Sequence, residues 1–422
     1  MTKSWPRNDT SKIPYWVYTD PEIYQQELEQ IWYGPHWVYV GLACEIPNAG
    51  DFKLSWVGER EVIVSRDHDD NIHVFENRCA HRGVKFCQKN HGNTKHFLCP
   101  YHQWRYKLNG DLHSLPFQHG VNKDGEIKGG MPKDFDIEQH GLNKLRVATL
   151  HGMIFATFSD KTESIEEYFG PRIMPWIDRI FKGRELVLLG YNRQQIPGNW
   201  KLMMENIKDP YHPGLLHTWF VTFGLFRADQ KSRMVQDETG RHAVMLNIRG
   251  NQGVENEVTK GVESFKPKMK LNDLRLLDVE TEAWWTTKDP FSDNEIMPTN
   301  TMLTLFPSVI IQQQVNSMST RHIVPKGNNQ FEFTWTHFGF KDDSKELTER
   351  RLNQSNLFGP AGFVSADDGE VIELSQHGFN QAPVDSQALA ELGGADIEQT
   401  DHMITETLIR GMYQYYRKIM GV

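Results

Sequence analysis

Cys79-Ala80-His81-Arg82-Gly83 and Cys99-Pro100-Tyr101-His102-Gln103-Trp104 are the two stretches on which the fold turns. Each offers one thiolate and one imidazole, as Cys-x-His and Cys-x2-His, with 17 residues between His81 and Cys99. Two cysteines and two histidines are the donor set of a Rieske-type [2Fe–2S] centre, in which thiolates hold one iron and neutral imidazoles the other. A common structural zinc finger pairs its cysteines together and its histidines together, whereas each stretch here mixes them. Cys79, His81, Cys99 and His102 are therefore placed on two tight loops at the tips of hairpins, converging from opposite sides, and Gly83 and Pro100 suit such loops.

Working outward, short runs such as Trp37-Val38-Tyr39-Val40 and Glu61-Val62-Ile63-Val64, broken by Gly, Asp and Asn, predict a small antiparallel β domain up to about Ser159. Cys44 and Cys87 are the other two of only four cysteines. They are read as buried thiols with no disulfide to make. Ahead of this domain, Asp20-Pro21-Glu22 places a cap, a first-turn proline and an acid before apolar residues at helical spacing, which predicts a helix over 20–33. Behind it, Asn199 to Asn206 reads as a capped helix, 301–325 and 330–340 as long strands, and the tail from Asp401 as a helix burying Ile404, Leu408, Met412, Tyr415 and Ile419. The expected fold is α+β: an N-terminal helical segment (1–37) packing on the larger domain, a small antiparallel-β Rieske domain (38–159), and a larger domain (160–422) with a curved antiparallel sheet covered by helices.

A chain of 422 residues suits two such unequal domains. Its net charge of −9 gives no positive field to gather nucleic acid or anionic lipid. Mean hydropathy is −0.58, no apolar run reaches spanning length, and the start Met1-Thr2-Lys3-Ser4-Trp5 does not read as a secretory signal. A cytoplasmic location away from membranes is expected.

A second constellation lies in Glu205-Asn206-Ile207-Lys208-Asp209-Pro210-Tyr211-His212-Pro213-Gly214-Leu215-Leu216-His217. A non-haem Fe(II) oxygenase needs two imidazoles and one carboxylate on one face of the metal, with positions left open. His212 and His217 supply the imidazoles. A His-x4-His pair is a weak signal among 18 histidines, and Asp367-Asp368 before Gly369 reads alone as a solvated turn.

Taken together, Asn206, Asp209, Tyr211, His212 and His217, followed far downstream by Gly359-Pro360-Ala361-Gly362 and an acidic pair, closely resemble the α subunits of ring-hydroxylating Rieske oxygenases. The resemblance runs over essentially the whole chain. It implies Asp368 as the third iron ligand, a mononuclear Fe(II) beside the [2Fe–2S] cluster, and use of O₂ to hydroxylate a small aromatic substrate. It further implies an α₃ ring in which Asp209 bridges His102 of one chain and His212 of its neighbour, and a small β subunit completing α₃β₃, with exposed edges of the catalytic sheet as its dock. One departure is that Asn206 and Asp209 stand a residue closer than in naphthalene-type members. The runs Pro197 to Lys201, His217 to Phe220 and Phe358 to Asp368 look most like the branch that hydroxylates salicylate, with anthranilate and terephthalate dioxygenases nearby.

No Gly-x-Gly-x-x-Gly fingerprint and no further cysteine set occur, so NAD(P)H electrons are expected only through a separate reductase and ferredoxin. For the substrate, Gln314, Arg321, Ser365 and Val364 are the candidates. Arginine suits a carboxylate, and Val364 leaves room near the iron. Gln314 and Arg321 are seven apart, so an unbroken strand from Ile310 to Val324 would send them to opposite faces, and sharing a pocket requires a bulge or bend. Monohydroxylation of salicylate is expected ahead of cis-dihydroxylation of anthranilate, terephthalate or an indole-derived acid. The alternative class, a Rieske electron carrier without oxygenase activity, leaves His212, His217 and Asp368 without a purpose.

Overall fold

The structure is a computed structural model that describes residues 5, 9–217, 231–248, 279–362 and 364–422. The chain divides into two compact units, residues 32–162 and residues 1–31 with 163–422.

In the smaller unit seven antiparallel strands form one sheet. Their spatial order is Val38–Leu42, Met153–Thr157, Lys144–Leu150, Ile72–Glu76, Arg60–Arg66, Asp51–Val57 and His91–Asn93. The hairpin joining Asp51–Val57 to Arg60–Arg66 turns on Gly58-Glu59, with Val57 opposite Arg60. Gly58 sits at φ 57°, and a Cβ there would lie 2.9 Å from Trp32 and Tyr33. A second, three-stranded sheet of Phe97–Leu98, Arg105–Tyr106 and Leu112–Ser114 carries the second cysteine loop. Phe52, Phe75, Phe86, Phe97 and Tyr106 fill the core under both loops together with Cys79, Cys87 and Cys99. None of the four cysteines is in a disulfide, and Cys44 is half-buried rather than buried. Burial nevertheless pushes its thiol up to about 12, reinforced by Glu45, so it is inert as a nucleophile.

The larger unit is built on a seven-stranded antiparallel sheet. Its order is Leu186–Ile196, Phe331–Phe340, Ser317–Pro325, Val309–Gln314, Asn300–Leu305, Ala243–Ile248 and Lys231–Gln236. The expected strand over 301–325 is therefore three strands. One hairpin between them turns at Val315-Asn316, with Gln314 opposite Ser317 and Val315 at φ 47°. Contacts from outside the hairpin hold this turn. The Asn316 amide N–H donates to Gln354 Oε1 at 2.8 Å, and Arg351 Nη1 donates to the Asn316 carbonyl at 2.6 Å.

The Trp200–Lys208 helix lies on the sheet, with Asn199 as its cap accepting from Lys201 N at 3.1 Å. The N-terminal segment clamps it. Asp20 caps a helix from Pro21 to Glu27 that widens into a π turn over Leu28–Trp32, and Glu27 accepts from Trp200 Nε1 at 2.8 Å, Lys201 Nζ at 2.6 Å and Tyr416 Oη at 2.6 Å. Burying Glu27 and Lys201 is tolerable because each finds its partner. The C-terminal helix begins at Thr407, so Ile404 falls before it and is 46% exposed. Its buried face is Leu408, Ile409, Met412, Tyr413, Tyr416 and Met420, a slight rotation from the expected stripe that brings two tyrosines inward.

Candidate metal centres

In the smaller unit the two predicted loops are near copies of one turn. Gly83 N donates to the Cys79 carbonyl at 2.9 Å and Gln103 N to the Cys99 carbonyl at 3.0 Å. The residue four past each cysteine has positive φ, 71° at Gly83 and 54° at Gln103. These turns aim both cysteines inward, 3% and 1% exposed, while His81 and His102 face outward with ring centroids 4.7 Å apart. The Tyr106 hydroxyl lies 3.1 Å from Cys79 Sγ and accepts from Ala80 N at 3.1 Å, and His81 stacks flat on Trp104 at 4.8 Å. Burial raises the Cys99 thiol, and its neighbour Cys79 adds to that. Two buried sulfurs below two outward imidazoles fit a cluster with one iron inside and the other toward the surface.

In the larger unit Asp368 is the hub. Its Oδ1 lies 3.5 Å from His212 Nε2 and 3.2 Å from His217 Nε2, and one donor atom from each of the three residues falls within 4.8 Å of the others. Donors about 2.1 Å from one metal and at right angles stand about 3 Å apart, so the set fits a single ion on one face. A second carboxylate stands behind each imidazole, hydrogen-bonded to His217, where it fixes tautomer and ring orientation, and close to His212 without a hydrogen bond. His217 Nδ1 is 3.2 Å from Asp367 Oδ2, and His212 Nδ1 is 3.4 Å from Asp209 Oδ2. Asn206 Nδ2 donates to Asp368 Oδ1 at 3.1 Å. Burial alone would lower His212, yet Asp209 and Asp368 lift it to about 9, the signature of a pocket whose field favours a cation.

The triad opens into a cavity of about 110 Å³, the same order as the ~150 Å³ that holds one benzene ring. Gln314, Arg321, Val364 and Ser365 all line it. The hairpin at Val315-Asn316 explains why Gln314 and Arg321 share a face. They lie on neighbouring strands, Ser317 opposite Gln314, and Arg321 follows Ser317 by four residues, an even step. Arg321 is 3% exposed, stacks 3.7 Å over the Trp335 ring, and among the described residues has no carboxylate partner. Its Nε is buried without an acceptor among the described residues, as is Ser365 Oγ. Burial draws the guanidinium down to about 9, only partly offset by Asp368.

Four participants escaped the sequence reading. Asp367, beside the ligand Asp368, orients His217; the acidic pair itself was the available signal. Trp335 floors Arg321, and nothing local marks it. Asn247 and Asn300 face each other across neighbouring strands, line the same cavity and carry buried Oδ1 atoms without donors among the described residues. Strand residues of this kind show a function only once the sheet is assembled. The expected likeness over Thr218 to Phe220 and at Phe363 lies outside the described residues.

A mixed Cys₂His₂ cluster domain joined to a 2-His-1-carboxylate pocket defines the class as a Rieske non-haem iron oxygenase. The Rieske [2Fe-2S] domain family matches residues 36–124, and the ring hydroxylating alpha subunit catalytic-domain family matches residues 181–422. The chain is 59% identical to the large oxygenase component of salicylate 5-hydroxylase from Ralstonia sp., over 99% of this chain and 96% of that one. It is 41% identical to the anthranilate 1,2-dioxygenase large subunit of Burkholderia cepacia, over 99% and 95%. Naphthalene 1,2-dioxygenase from Rhodococcus sp., solved with indole bound, shares the fold at a TM-score of 0.77 and 22% identity, over 97% and 94%. The protein belongs to the ring-hydroxylating α subunits of Rieske oxygenases, catalytic chains that carry a [2Fe–2S] cluster and a mononuclear iron and work with a partner subunit and electron-transfer proteins. Among the described residues no helix is long and apolar enough to cross a membrane.

Proposed function

We propose that this chain hydroxylates salicylate at C5 to give gentisate: salicylate, O₂, two electrons and two protons yield gentisate and water. The observation that carries the choice of an aromatic acid is Arg321, a buried cation without a carboxylate partner among the described residues, in the cavity that holds the iron ligands. A benzoate carboxylate supplies the partner, and burial makes that pairing strong. The amides of Gln314, Asn300 and Asn247 sit where a ring hydroxyl can donate, while Met245, Met302, Phe358 and Val364 pack the ring itself.

His212, His217 and Asp368 hold the iron; Cys79, His81, Cys99 and His102 hold the cluster. When bound, the iron supplies the site of O₂ reduction and the cluster relays electrons to it singly. The protein orients both imidazoles through Asp209 and Asp367, excludes bulk water with the apolar wall, and points the ring edge at the metal position. We assign Asp209 a second task as the bridge to His102 of a neighbouring chain in an α₃β₃ assembly, fed by a reductase and ferredoxin in the cytoplasm.

The test is turnover by the purified oxygenase with its small subunit and electron-transfer proteins, at about three irons and two acid-labile sulfides per chain. Gentisate from salicylate is the expected product. Catechol from anthranilate with no turnover of salicylate would instead place the chain with its dihydroxylating relatives. A companion prediction concerns Arg321→Gln. KM for salicylate rises roughly 100-fold, about 3 kcal/mol, because a buried charge-assisted pair is lost. Iron, sulfide and turnover of a ring lacking a carboxylate stay unchanged. An unaltered KM removes Arg321 from substrate binding.

A further inference from the structure

A second cavity, of about 200 Å³, lies on the other side of Asn206 from the iron pocket. Its wall includes three carboxylates, Glu205, Asp209 and Glu406, and it reaches the surface at Ser375 and at Leu389, which is 63% exposed. Asn206 lines both cavities. Its Nδ2 is committed to Asp368, whereas its Oδ1 is buried with no donor among the described residues. A buried acceptor of this kind calls for a water, and a cavity of this size, with Asn206 and three carboxylates set in a largely apolar wall, accommodates several.

Glu205 is half-buried, and its carboxylate is held by the Tyr18 hydroxyl at 3.2 Å and by Tyr413, with the two hydroxyls 3.0 Å apart. Nothing in substrate binding or metal ligation uses this group. Hydroxylation consumes two protons for every O₂ reduced by two electrons from the electron-transfer proteins, and both protons leave with one oxygen atom as water. Apart from the metal ligands, the described residues of the iron pocket offer Arg321, the Ser365 hydroxyl and neutral amides, all poor proton donors, so a separate proton entry is called for.

We infer that the acid-lined cavity is the proton entry to the iron pocket, with Glu205 donating through water that passes the Asn206 carbonyl and regaining its proton from solvent past Glu406. Burial raises Glu205 to about 7 against the opposing pull of Tyr413, Tyr18 and Lys201, and Glu406 adds to the rise. A donor poised there works near neutral pH. Its acid form is complete at lower pH and is lost as pH rises through about 7. The inference rests on oxygenase activity and not on which aromatic acid is bound.

The experiment is single-turnover product formation in reduced, substrate-loaded holoenzyme as a function of pH. In the wild type the rate falls above about 7. Glu205→Gln keeps the shape of the side chain and one acceptor oxygen, while its NH₂ group meets the other tyrosine hydroxyl as a donor, so iron, cluster spectrum and substrate affinity are retained. Its rate is roughly 100-fold lower at acidic pH and its limb near neutrality disappears. A variant with wild-type rate and the same limb overturns the inference. Infrared titration of the wild-type holoenzyme serves if the variant fails to load its metals. A protonated carboxyl band with a midpoint of about 7 is expected, and the absence of any carboxyl titrating near neutrality overturns the inference without recourse to turnover. Failure of the wild type to form gentisate would count against the substrate assignment alone.

Discussion

An Asp368→Ala chain forms no product, its rate falling by more than about 1,000-fold, while the absorption and reduced-state signal of the [2Fe–2S] cluster stay intact. Among the described residues Asp368 is the one whose oxygen faces both imidazoles, 3.5 Å from His212 Nε2 and 3.2 Å from His217 Nε2. Its removal takes away a third of the ligand set and the only negative charge among the three donors. Asn206 Nδ2 also loses its acceptor. Loss of an outer-shell partner typically costs about 10–100-fold in metal affinity, and loss of a direct ligand exceeds that. Iron per chain should fall from about three to about two with sulfide constant at about two. Asp367→Asn provides the contrast. It removes the carboxylate behind His217 but no ligand, so iron binding weakens within that range and excess Fe(II) restores turnover. Full iron in Asp368→Ala would show that a different residue completes the site.

The pair Asp367-Asp368 also shows where sequence reading runs out. On composition alone two acids before Gly369 look like a solvated turn. In the fold they open the Ser365–Gln381 helix, whose residues advance by about 100° each, so Asp368 turns inward at 6% side-chain exposure while Asp367 stays 41% exposed. The two cysteine loops were legible because their chemistry is local: four donors, a fixed spacing and a glycine where φ is positive. The Asn199 cap and the helix after Asp20 were legible for the same reason. The hairpin at Val315-Asn316 was not, since it contains neither Gly nor Pro and is fastened by Arg351 and Gln354 from a helix some 35 residues on. Reading through it as one strand separated Gln314 from Arg321, which the folded sheet brings to one face. The C-terminal helix was turned by the same kind of distant influence. Tyr413 and Tyr416 face inward because Glu205 and Glu27 offer acceptors for their hydroxyls.

Asp209→Asn tests the least local of the proposals. The variant should bind iron and reduce its cluster, yet lose about 1,000-fold in product formation per reduced chain. Asp209 ends the Trp200–Lys208 helix, accepts from Tyr211 N at 2.7 Å through one oxygen and approaches His212 Nδ1 at 3.4 Å through the other. An amide keeps the shape and can keep the Tyr211 bond, but the oxygen facing His212 becomes an NH₂ group or the backbone bond is forfeited. Two losses then compound. Poorer orientation of His212 costs about 10–100-fold, and a charge-assisted hydrogen bond to a neighbouring His102 is worth about 1.5–3 kcal/mol, a further ~10–100-fold. The two parts separate experimentally. If Asp209 only orients His212, weakened iron affinity accounts for the whole effect and saturating Fe(II) returns full turnover. If it also bridges, the iron-saturated variant still holds its cluster in the reduced state after substrate and O₂ are supplied, because electrons no longer cross. Normal turnover with both metals confirmed would remove the bridge altogether and leave electron transfer to some other contact between chains.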